Sequence, residues 1–324
     1  MSRYLESGLD ISVKLISYTV DGEKLVAAAA RVSLSRKPVE EVLAVEEVDV
    51  EKWILETFKR QHFSPWEHST YSFIIDGLSR VASHQLVRHR IASYTQQSHR
   101  YTEGYLRSAA LKASRMLGYN CSEKLDEVDK TEVYRCYSKS LEELASREDV
   151  NAEDVARIAY VRPPTLSEDQ AKLWTVAVLK ASALYYELLS RGVKIEDARY
   201  VIPGSVRTRI VVTMNARELI QSFLPLRMCS RTQWELRHIA WLMWRELMRV
   251  HPKLFKWAGP RCLLTENVIR SEPLSLAEAM KRETQFFILR CPELVKREAI
   301  PLCLRQAAET AGLPLELLSE LGLR

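Results

Sequence analysis

Alternating apolar and polar positions predict three β-strands in this chain. In a strand, successive side chains point to opposite faces, so strict alternation gives one buried and one exposed face. The alternating stretches are Ile11–Val20, Ser69–Asp76 and Arg209–Asn215. Helical spacing of apolar residues is more frequent and predicts helices at Leu25–Ser33, Val50–Gln61, Ser79–Arg90, Glu168–Arg191 and Arg231–Val250. Few strands among many helices, without a repeating β-α-β order, indicate an α+β fold.

The helix predicted from Ser79 has a polar face that leads into a polar segment. Ser79 is expected to cap this helix, and Gln85, Arg88 and His89 stand at i, i+3 and i+4, so they share one face. Its apolar positions include Val81, Leu86 and Val87. The residues that follow, IASYTQQSHRY, are rich in hydroxyl and amide groups. We predict a loop there that forms one wall of a binding site.

The chemistry of residues 88–101, RHRIASYTQQSHRY, favours an anionic ligand. Arginine presents planar, paired donors to phosphate oxygens, and hydroxyls and amides add neutral donors. A solvated basic surface is the alternative for any arginine-rich turn. The polar helical face that leads into the segment favours the binding site, so a phosphorylated small molecule is the expected ligand.

Composition narrows the class of protein only slightly. The 324 residues include 47 basic and 42 acidic ones, giving a net charge of +5 that suits anionic nucleotides without requiring nucleic acid. The six cysteines contain no CxxC pair, so we expect reduced thiols in a cytoplasmic protein. We also expect neither a signal peptide nor a membrane span, because no apolar run approaches about 20 residues.

Several sequence blocks resemble the flavin-dependent thymidylate synthases. The pattern RHR-x7-S, followed by Arg-Tyr, is similar to the signature of that family. Further blocks follow the family order: AARVS (29–33), HFSPWEH (62–68), ARYVIP (198–203), TMNAREL (213–219), LRMCSRTQWE (226–235) and AGPRC (258–262). The resemblance covers roughly residues 10–105 and 158–262. It implies reductive methylation of dUMP to dTMP, with methylenetetrahydrofolate as carbon donor and FAD and NADPH as hydride carriers.

The resemblance also implies an architecture. A sheet flanked by long helices is expected, assembled as a homotetramer whose active sites lie between subunits. Residues 1–262 form the family domain, with a helical insertion at about 106–157, and residues 263–324 form a C-terminal helical extension. The insertion has apolar residues at helical spacing, namely Val128, Val133, Tyr137, Leu141 and Leu144, and the extension contains TQFFILRCPELV and the Leu-rich end LPLELLSELGLR. We expect the apolar residues of both helical segments to be packed in a core, since amphipathic helices mostly are.

The resemblance assigns roles to residues around two ligands. Arg227 is the expected catalytic residue, because a fixed guanidinium stabilises negative charge on the uracil ring. The dUMP-binding set is Gln85, Arg88, Gln96, Ser98, Arg100, Arg199 and Arg227. The flavin-binding set is His68, Thr70, Arg88, His89, Arg90, Gln96, Asn215, Arg217 and Gln221, with Asn215 placed as a helix N-cap. No Gly-rich dinucleotide fingerprint and no closely paired histidines occur, so neither a Rossmann-type site nor a metal site is expected.

Several alternatives stay open at this level. Cys229 is either a thiol nucleophile or, as we favour, a small buried residue, and Ser98 is a nucleophile or a ligand donor. From Asn215 the chain reaches Arg227 one residue later than the family spacing, and Gln96 stands where some members carry an acid. The other candidate functions are a related flavoenzyme acting on another pyrimidine nucleotide, and a non-catalytic nucleotide- or nucleic-acid-binding protein.

Overall fold

The computed structural model describes residues 10–33, 35–44, 46–101, 103–124 and 129–323. These ranges contain the strands β1 (Ser12–Tyr18), β2 (Thr70–Ser79), β3 (Ala92–Gln96) and β4 (Arg207–Asn215), hydrogen-bonded in the order β1-β2-β4-β3. The three strands predicted from alternation are confirmed as β1, β2 and β4. The α+β fold class is confirmed as well.

The pairing of β1 with β2 shows why the alternation of apolar and polar residues predicted these strands correctly. The two strands are antiparallel, with Val13 opposite Ile75 and Leu15 opposite Phe73, and the register shifts between Leu15 and Ser17. Phe73 and Ile75 are fully buried. Their common face therefore contributes to the core, as period-two patterning requires.

The expected loop after Arg90 was wrong in part, because Ala92–Gln96 forms β3. Tyr94 and its serine and threonine neighbours suit a strand, but side chains on both faces are at least partly exposed, so no apolar alternation marked it. The Tyr94 hydroxyl donates to the carbonyls of Leu86, at 3.0 Å, and His89, at 2.8 Å. The strand thereby fixes the backbone that precedes it.

Helices make up most of the remaining described structure. In chain order they are α1 (Gly22–Val32), α2 (Val39–Leu43), α3 (Glu47–Lys59), α4 (Arg80–Leu86), α5 (Gly104–Met116), α6 (Lys130–Ala145), α7 (Ala152–Ala159), α8 (Glu168–Ser190), α9 (Ile195–Ala198), α10 (Ala216–Glu218), α11 (Leu224–Arg227), α12 (Trp234–Val250), α13 (Pro252–Phe255), α14 (Arg261–Ile269), α15 (Leu276–Ala279), α16 (Ile300–Glu309) and α17 (Leu315–Glu320). Short 3-10 turns lie at Ser64–His68, Arg199–Val201 and Arg297–Ala299. In the described ranges no helix is both long and apolar enough to cross a membrane.

The helix predicted from Ser79 is shorter than expected. The Ser79 hydroxyl accepts the backbone N–H of Ala82 at 3.0 Å, which confirms the N-cap. Because α4 ends at Leu86, Arg88 and His89 do not continue its face: Arg88 is exposed and His89 is buried. Two of the expected apolar positions, Val81 and Val87, were also wrong as core residues, since both are exposed.

The chain divides into two compact units. Unit 1 comprises the described residues up to Asp76, residues 85–95 and those from Val211 onward; unit 2 comprises residues 77–84 and 96–210. Unit 2 contains most of the predicted insertion, including α5, α6 and α7, together with α8. Val133, Tyr137, Leu141 and Leu144 are buried in its core as predicted, and Val128 lies outside the described residues.

The expectation that all six cysteines are reduced was wrong for one pair. Cys121 and Cys136 form a disulfide with a Cα–Cα distance of 5.7 Å. Cys121 follows α5 and Cys136 lies on the first part of α6, so the helix pair brings together residues that no CxxC motif marks. The bond closes a loop with a sequence separation of 15. Cys229, Cys262, Cys291 and Cys303 remain free thiols.

The C-terminal segment is only partly helical. The Leu-rich end forms α17, as predicted, and α16 precedes it. The stretch TQFFILRCPELV was expected to be helical, but residues 284–295 form turns and an isolated β-bridge between Arg290 and Lys296. Pro292 is incompatible with a helix interior near the end of this stretch, and the Glu266 carboxylate accepts the backbone N–H groups of Phe287 and Ile288.

Candidate active site

Arg227 lies at the centre of a hydrogen-bonded cluster in unit 1. Its Nε donates to Nε2 of His89 at 3.0 Å, and its Nη2 donates to the carbonyl of Gln85 at 3.2 Å. The other ring nitrogen of His89, Nδ1, is 3.1 Å from Oε1 of Glu218 and 3.2 Å from Oγ of Ser222. We call Gln85, His89, Glu218, Ser222 and Arg227 the Arg227 cluster.

The hydrogen bonds define the tautomer of His89. A guanidinium has only donors, so Nε2 of His89 must accept from Arg227 and carry no proton. Nδ1 therefore carries the proton and donates to the carboxylate of Glu218. Both ring nitrogens are thus engaged by protein groups, and the ring orients the guanidinium. The prediction that His89 contacts the flavin stays a prediction.

The surroundings of the Arg227 cluster are largely shielded from water. His89 and Glu218 are buried, with side-chain exposures of 4% and 5%. The Phe223 ring meets the His89 ring edge-on at 5.1 Å between centroids. Burial lowers the pKa of Arg227, and it raises the pKa of Tyr94, whose hydroxyl is hydrogen-bonded nearby. In such a setting a charge interacts more strongly with a ligand than it does in water.

A π-helical turn accommodates the extra residue before Arg227. Residues Leu219–Phe223 form this turn between α10 and α11. A π turn is a one-residue insertion within an α-helix, and such turns are frequent at functional sites. The insertion leaves Arg227 in contact with His89, and Ser222, within the turn, reaches the same ring. The longer spacing therefore does not remove Arg227 from the cluster.

Several residues of the expected flavin set lie in the same unit. The Asn215 side chain accepts the backbone N–H of Glu218 at 2.8 Å, which confirms the predicted N-cap. Nε of Arg217 donates to Gln221 Oε1 at 2.9 Å, and Arg217 also forms an ion pair with Glu67. His68, Thr70, Arg88 and Arg90 are exposed, and the Thr70 backbone N–H donates to the Thr19 hydroxyl at 2.9 Å. The flavin contacts of all these residues stay predictions.

Unit 2 contains a basic groove that the sequence only partly indicated. Arg80, His99 and Arg199 line a cavity of about 250 Å³, together with Tyr200, Ile202, Pro203, Gly204 and Val206. Burial, followed by the charges of Arg80 and Arg199, lowers the pKa of His99. Burial and the charge of Arg199 lower the pKa of Arg80. None of these lining residues is acidic, so an anion would relieve the repulsion between the cations.

Other predicted dUMP residues of unit 2 already have protein partners. Arg100 forms an ion pair with Glu196 at 2.9 Å, and both side chains are more than two-fifths exposed. Gln96 donates from Nε2 to the Thr208 hydroxyl at 3.3 Å. Ser98 Oγ accepts the backbone N–H of Arg100 at 3.2 Å. Exposed ion pairs are weak, so the Arg100 guanidinium can exchange Glu196 for a ligand at little cost.

The structure adds residues that sequence reasoning missed. Glu218 and Ser222 belong to the Arg227 cluster, and Arg80 and His99 belong to the basic groove. Glu218 stood within the TMNAREL block, where its spacing after the Asn215 cap was the available signal. His99 lies within the predicted binding segment 88–101, but no role was assigned to it, because its neighbours in the groove come from distant segments.

Cys229 does not have the properties of an activated nucleophile. Burial raises the pKa of its thiol, and the neighbouring cysteines contribute in the same direction. A thiol of raised pKa is protonated at neutral pH and attacks poorly. The described residues contain no group of three or more His, Cys, Asp or Glu side chains arranged around one ion.

An oriented, half-buried guanidinium and, separately, a cationic groove are features typical of proteins that bind anionic ligands. Comparison with known proteins identifies the group. A family described as "Thymidylate synthase complementing protein" matches residues 14–253. A flavin-dependent thymidylate synthase from Aeropyrum pernix is 58% identical over 313 residues, covering 94% of this chain and 96% of that protein. The chain belongs to the flavin-dependent thymidylate synthase family.

Other relatives and solved structures agree. A flavin-dependent thymidylate synthase from Sulfurisphaera tokodaii is 40% identical over 301 residues, covering 92% of this chain and 97% of that protein. Thymidylate synthase X from Helicobacter pylori, solved with FAD and dUMP, has a TM-score of 0.54 and 24% identity, covering 76% of this chain and 97% of that one. The UMP/dUMP methylase PolB from Streptomyces cacaoi has a TM-score of 0.53 and 22% identity, covering 76% and 93%. These two structures support the fold.

Proposed function

We propose that this chain methylates dUMP to dTMP, using methylenetetrahydrofolate as carbon donor and FAD and NADPH as hydride carriers. The observation that carries the proposal is the Arg227 cluster, in which a carboxylate and an imidazole hold one guanidinium. Family membership supplies the reaction class. A cytoplasmic location and the absence of a stable nucleic-acid partner remain part of the proposal.

Arg227 is assigned to the uracil ring. Carbon five of uracil becomes nucleophilic when negative charge accumulates on the ring, and a preorganised donor stabilises that charge without reorganising during the reaction. His89 accepts from Nε of Arg227 and so holds the guanidinium plane. Glu218 holds the His89 ring, which makes His89 and Glu218 positioning residues.

The basic groove is assigned to the phosphate of a nucleotide, in a site to which, as the family resemblance implies, different subunits contribute. Arg80 and Arg199 are two cations in one cavity whose described lining lacks acids. A phosphate dianion offers acceptors to both guanidiniums, and its charge raises the pKa of His99 toward the usual value. Gln85, Arg88, Gln96, Ser98 and Arg100 are proposed as further dUMP contacts.

The flavin assignment is supported by the chemistry of the donor set. Arg88, Arg90 and Arg217 carry exposed guanidiniums, which suit a pyrophosphate. His68, Thr70, His89, Gln96, Asn215 and Gln221 are proposed to complete the set. When bound, FAD supplies hydride transfer. The chain's own residues bind and orient it.

The homotetramer that the family resemblance implies is part of the proposal, and an apolar surface on α8 supports association of copies of the chain. Leu173, Val176 and Leu184 lie on this helix with exposures of 73%, 36% and 49%. These three side chains are not covered by other residues of unit 2. Exposed apolar patches of this kind often mark protein–protein interfaces. We propose that further copies of the chain cover it. The solution mass, compared between wild type and a Leu173→Glu variant, tests this proposal.

The experiment for the activity uses the purified full-length chain. FAD, dUMP, methylenetetrahydrofolate and NADPH are added, and dTMP is measured by chromatography, with Arg227→Ala as the matched variant. We expect a yellow protein that forms dTMP. Bound flavin without dTMP formation would favour another pyrimidine nucleotide as substrate. A colourless protein with steeply salt-dependent DNA binding would contradict the flavoenzyme assignment.

A further inference from the structure

Four cysteines of unit 1 converge on one narrow cavity. Cys229, Cys262, Cys291 and Cys303 all line it, and they come from four separate segments of the chain. Three of the four lie beyond residue 253, where the family match ends. The apolar part of the lining includes Leu304 and Ala307. The C-terminal segment thus brings its own thiols to Cys229, which stands two residues after Arg227.

Two of the four sulfurs also have a polar neighbour. The backbone N–H of Val295 donates to Cys291 Sγ at 3.3 Å, and the Ser230 hydroxyl lies 3.1 Å from Cys303 Sγ. Donors aimed at sulfur stabilise the thiolate more than the thiol.

Four thiolates cannot share this cavity without a counter-charge. Cys229, Cys262, Cys291 and Cys303 all line it, and like charges held close together repel one another. A thiophilic cation removes this obstacle, because it displaces the thiol protons and offsets the charge of the sulfurs.

The surroundings also suit an anionic thiolate centre. Arg231 and Arg261 line the same cavity, beside one acid, Glu293. Cys262 is the second residue of α14, a helix of nine residues whose N-terminal partial charge favours anions. Two guanidiniums and a helix start offset the negative charge that four thiolates keep after binding a divalent metal.

We propose that Cys229, Cys262, Cys291 and Cys303 bind a thiolate-ligated metal centre that ties the C-terminal segment to the loop after Arg227. Zinc and iron–sulfur clusters share this ligand chemistry. In the described residues no three of these side chains, as they stand, could hold a single metal ion. A single zinc requires all four sulfurs within about 2.3 Å of the metal, so four thiols that line one cavity without meeting at a point favour a polynuclear iron–sulfur cluster.

The test measures metal and inorganic sulfide in the full-length protein, produced anaerobically in medium containing iron and zinc. Iron with a similar amount of acid-labile sulfide identifies a cluster, and about one zinc per chain without sulfide identifies a mononuclear site. Cys291→Ser combined with Cys303→Ser should lose the metal. Cys121→Ser combined with Cys136→Ser is the matched control and should retain it, because those cysteines lie in unit 2.

Two measurements on wild-type protein keep the proposal falsifiable if the cysteine variants do not fold. Removal of the metal with a chelator should lower the unfolding temperature. It should also make the four thiols of this cavity reactive toward a thiol reagent. Wild-type protein that contains neither metal nor sulfide after this production would overturn the proposal, whether these cysteines are free or paired as disulfides. Metal retained at the wild-type amount in a folded Cys291→Ser, Cys303→Ser variant would overturn it as well.

Discussion

Removal of the Arg227 guanidinium should depress turnover far more than it depresses dUMP affinity. A donor that strengthens its contact as charge develops lowers the barrier selectively, so its loss appears in kcat. Loss of one preorganised donor of this kind costs about 2.7–4 kcal/mol, or roughly a hundredfold to a thousandfold in rate. Arg227 is half-buried, so solvent does not replace the lost charge.

The structure also predicts the outcome for a conservative variant. Arg227 uses Nε for His89 and Nη2 for Gln85 at the same time. The single ammonium of Arg227→Lys cannot reproduce this planar fork, so little activity should return. Arg227→Ala leaves Nε2 of the buried His89 without its donor, which should lower the free energy of unfolding by about 1–3 kcal/mol.

The assay compares dTMP formation, dUMP binding and thermal unfolding for wild type, Arg227→Ala and Arg227→Lys. Arg249→Ala is the matched control, because Arg249 is 72% exposed and pairs with Glu246 on the surface of α12. We expect the control to equal wild type in all three measurements. Near-wild-type kcat in a folded Arg227→Ala variant would refute the assigned role. Arg231 would then be the next candidate for stabilising charge on the uracil ring.

Other predictions concern the supporting residues. Glu218→Gln replaces the buried carboxylate beside His89 by a neutral amide, so kcat should fall about tenfold while flavin content stays constant; unchanged kcat would contradict its positioning role. Arg199→Ala should weaken dUMP binding, measured by calorimetry, with flavin retained, and equal loss of both ligands would argue against the groove as a phosphate site. Cys121→Ser combined with Cys136→Ser should lower the free energy of unfolding by about 3 kcal/mol, and wild type unaffected by reductant would argue against the bond. Burial lowers the pKa of His238, so the unfolded chain binds its proton first as pH falls; stability should decrease below about pH 6.5, and less so in His238→Gln, as denaturant titrations at several pH values would show.

The sequence predicted those parts of the fold that depend on local patterning. The strands β1, β2 and β4 were predicted correctly because their alternation reflects one buried face. The helices α8 and α12 were predicted correctly because the helical pattern of apolar residues continues over many residues. The strand β3 was missed because its side chains are polar or partly exposed on both faces. Its assignment depends on pairing with a distant strand, which no local pattern contains.

The same distinction holds for the candidate site. Arg227 and Asn215 were identified from motifs, and the structure gives each a definite set of hydrogen bonds. Glu218 was missed as a functional group because its partner, His89, is more than a hundred residues away in the chain. The Cys121–Cys136 disulfide was missed for a similar reason, since its geometry arises from the packing of α5 and α6.

The π turn at Leu219–Phe223 allows this segment to hold one more residue than a regular α-helix without moving the residues on either side. Adding one residue to a regular α-helix would rotate everything beyond it by about 100°. A π turn confines the surplus to a single turn, so Glu218 before it and Arg227 after it both still reach the His89 ring. Such a turn can carry one surplus residue between two fixed points, and Ser222, within it, also reaches that ring. A π turn beside a site therefore lets an additional side chain reach a shared partner without displacing the residues on either side of it.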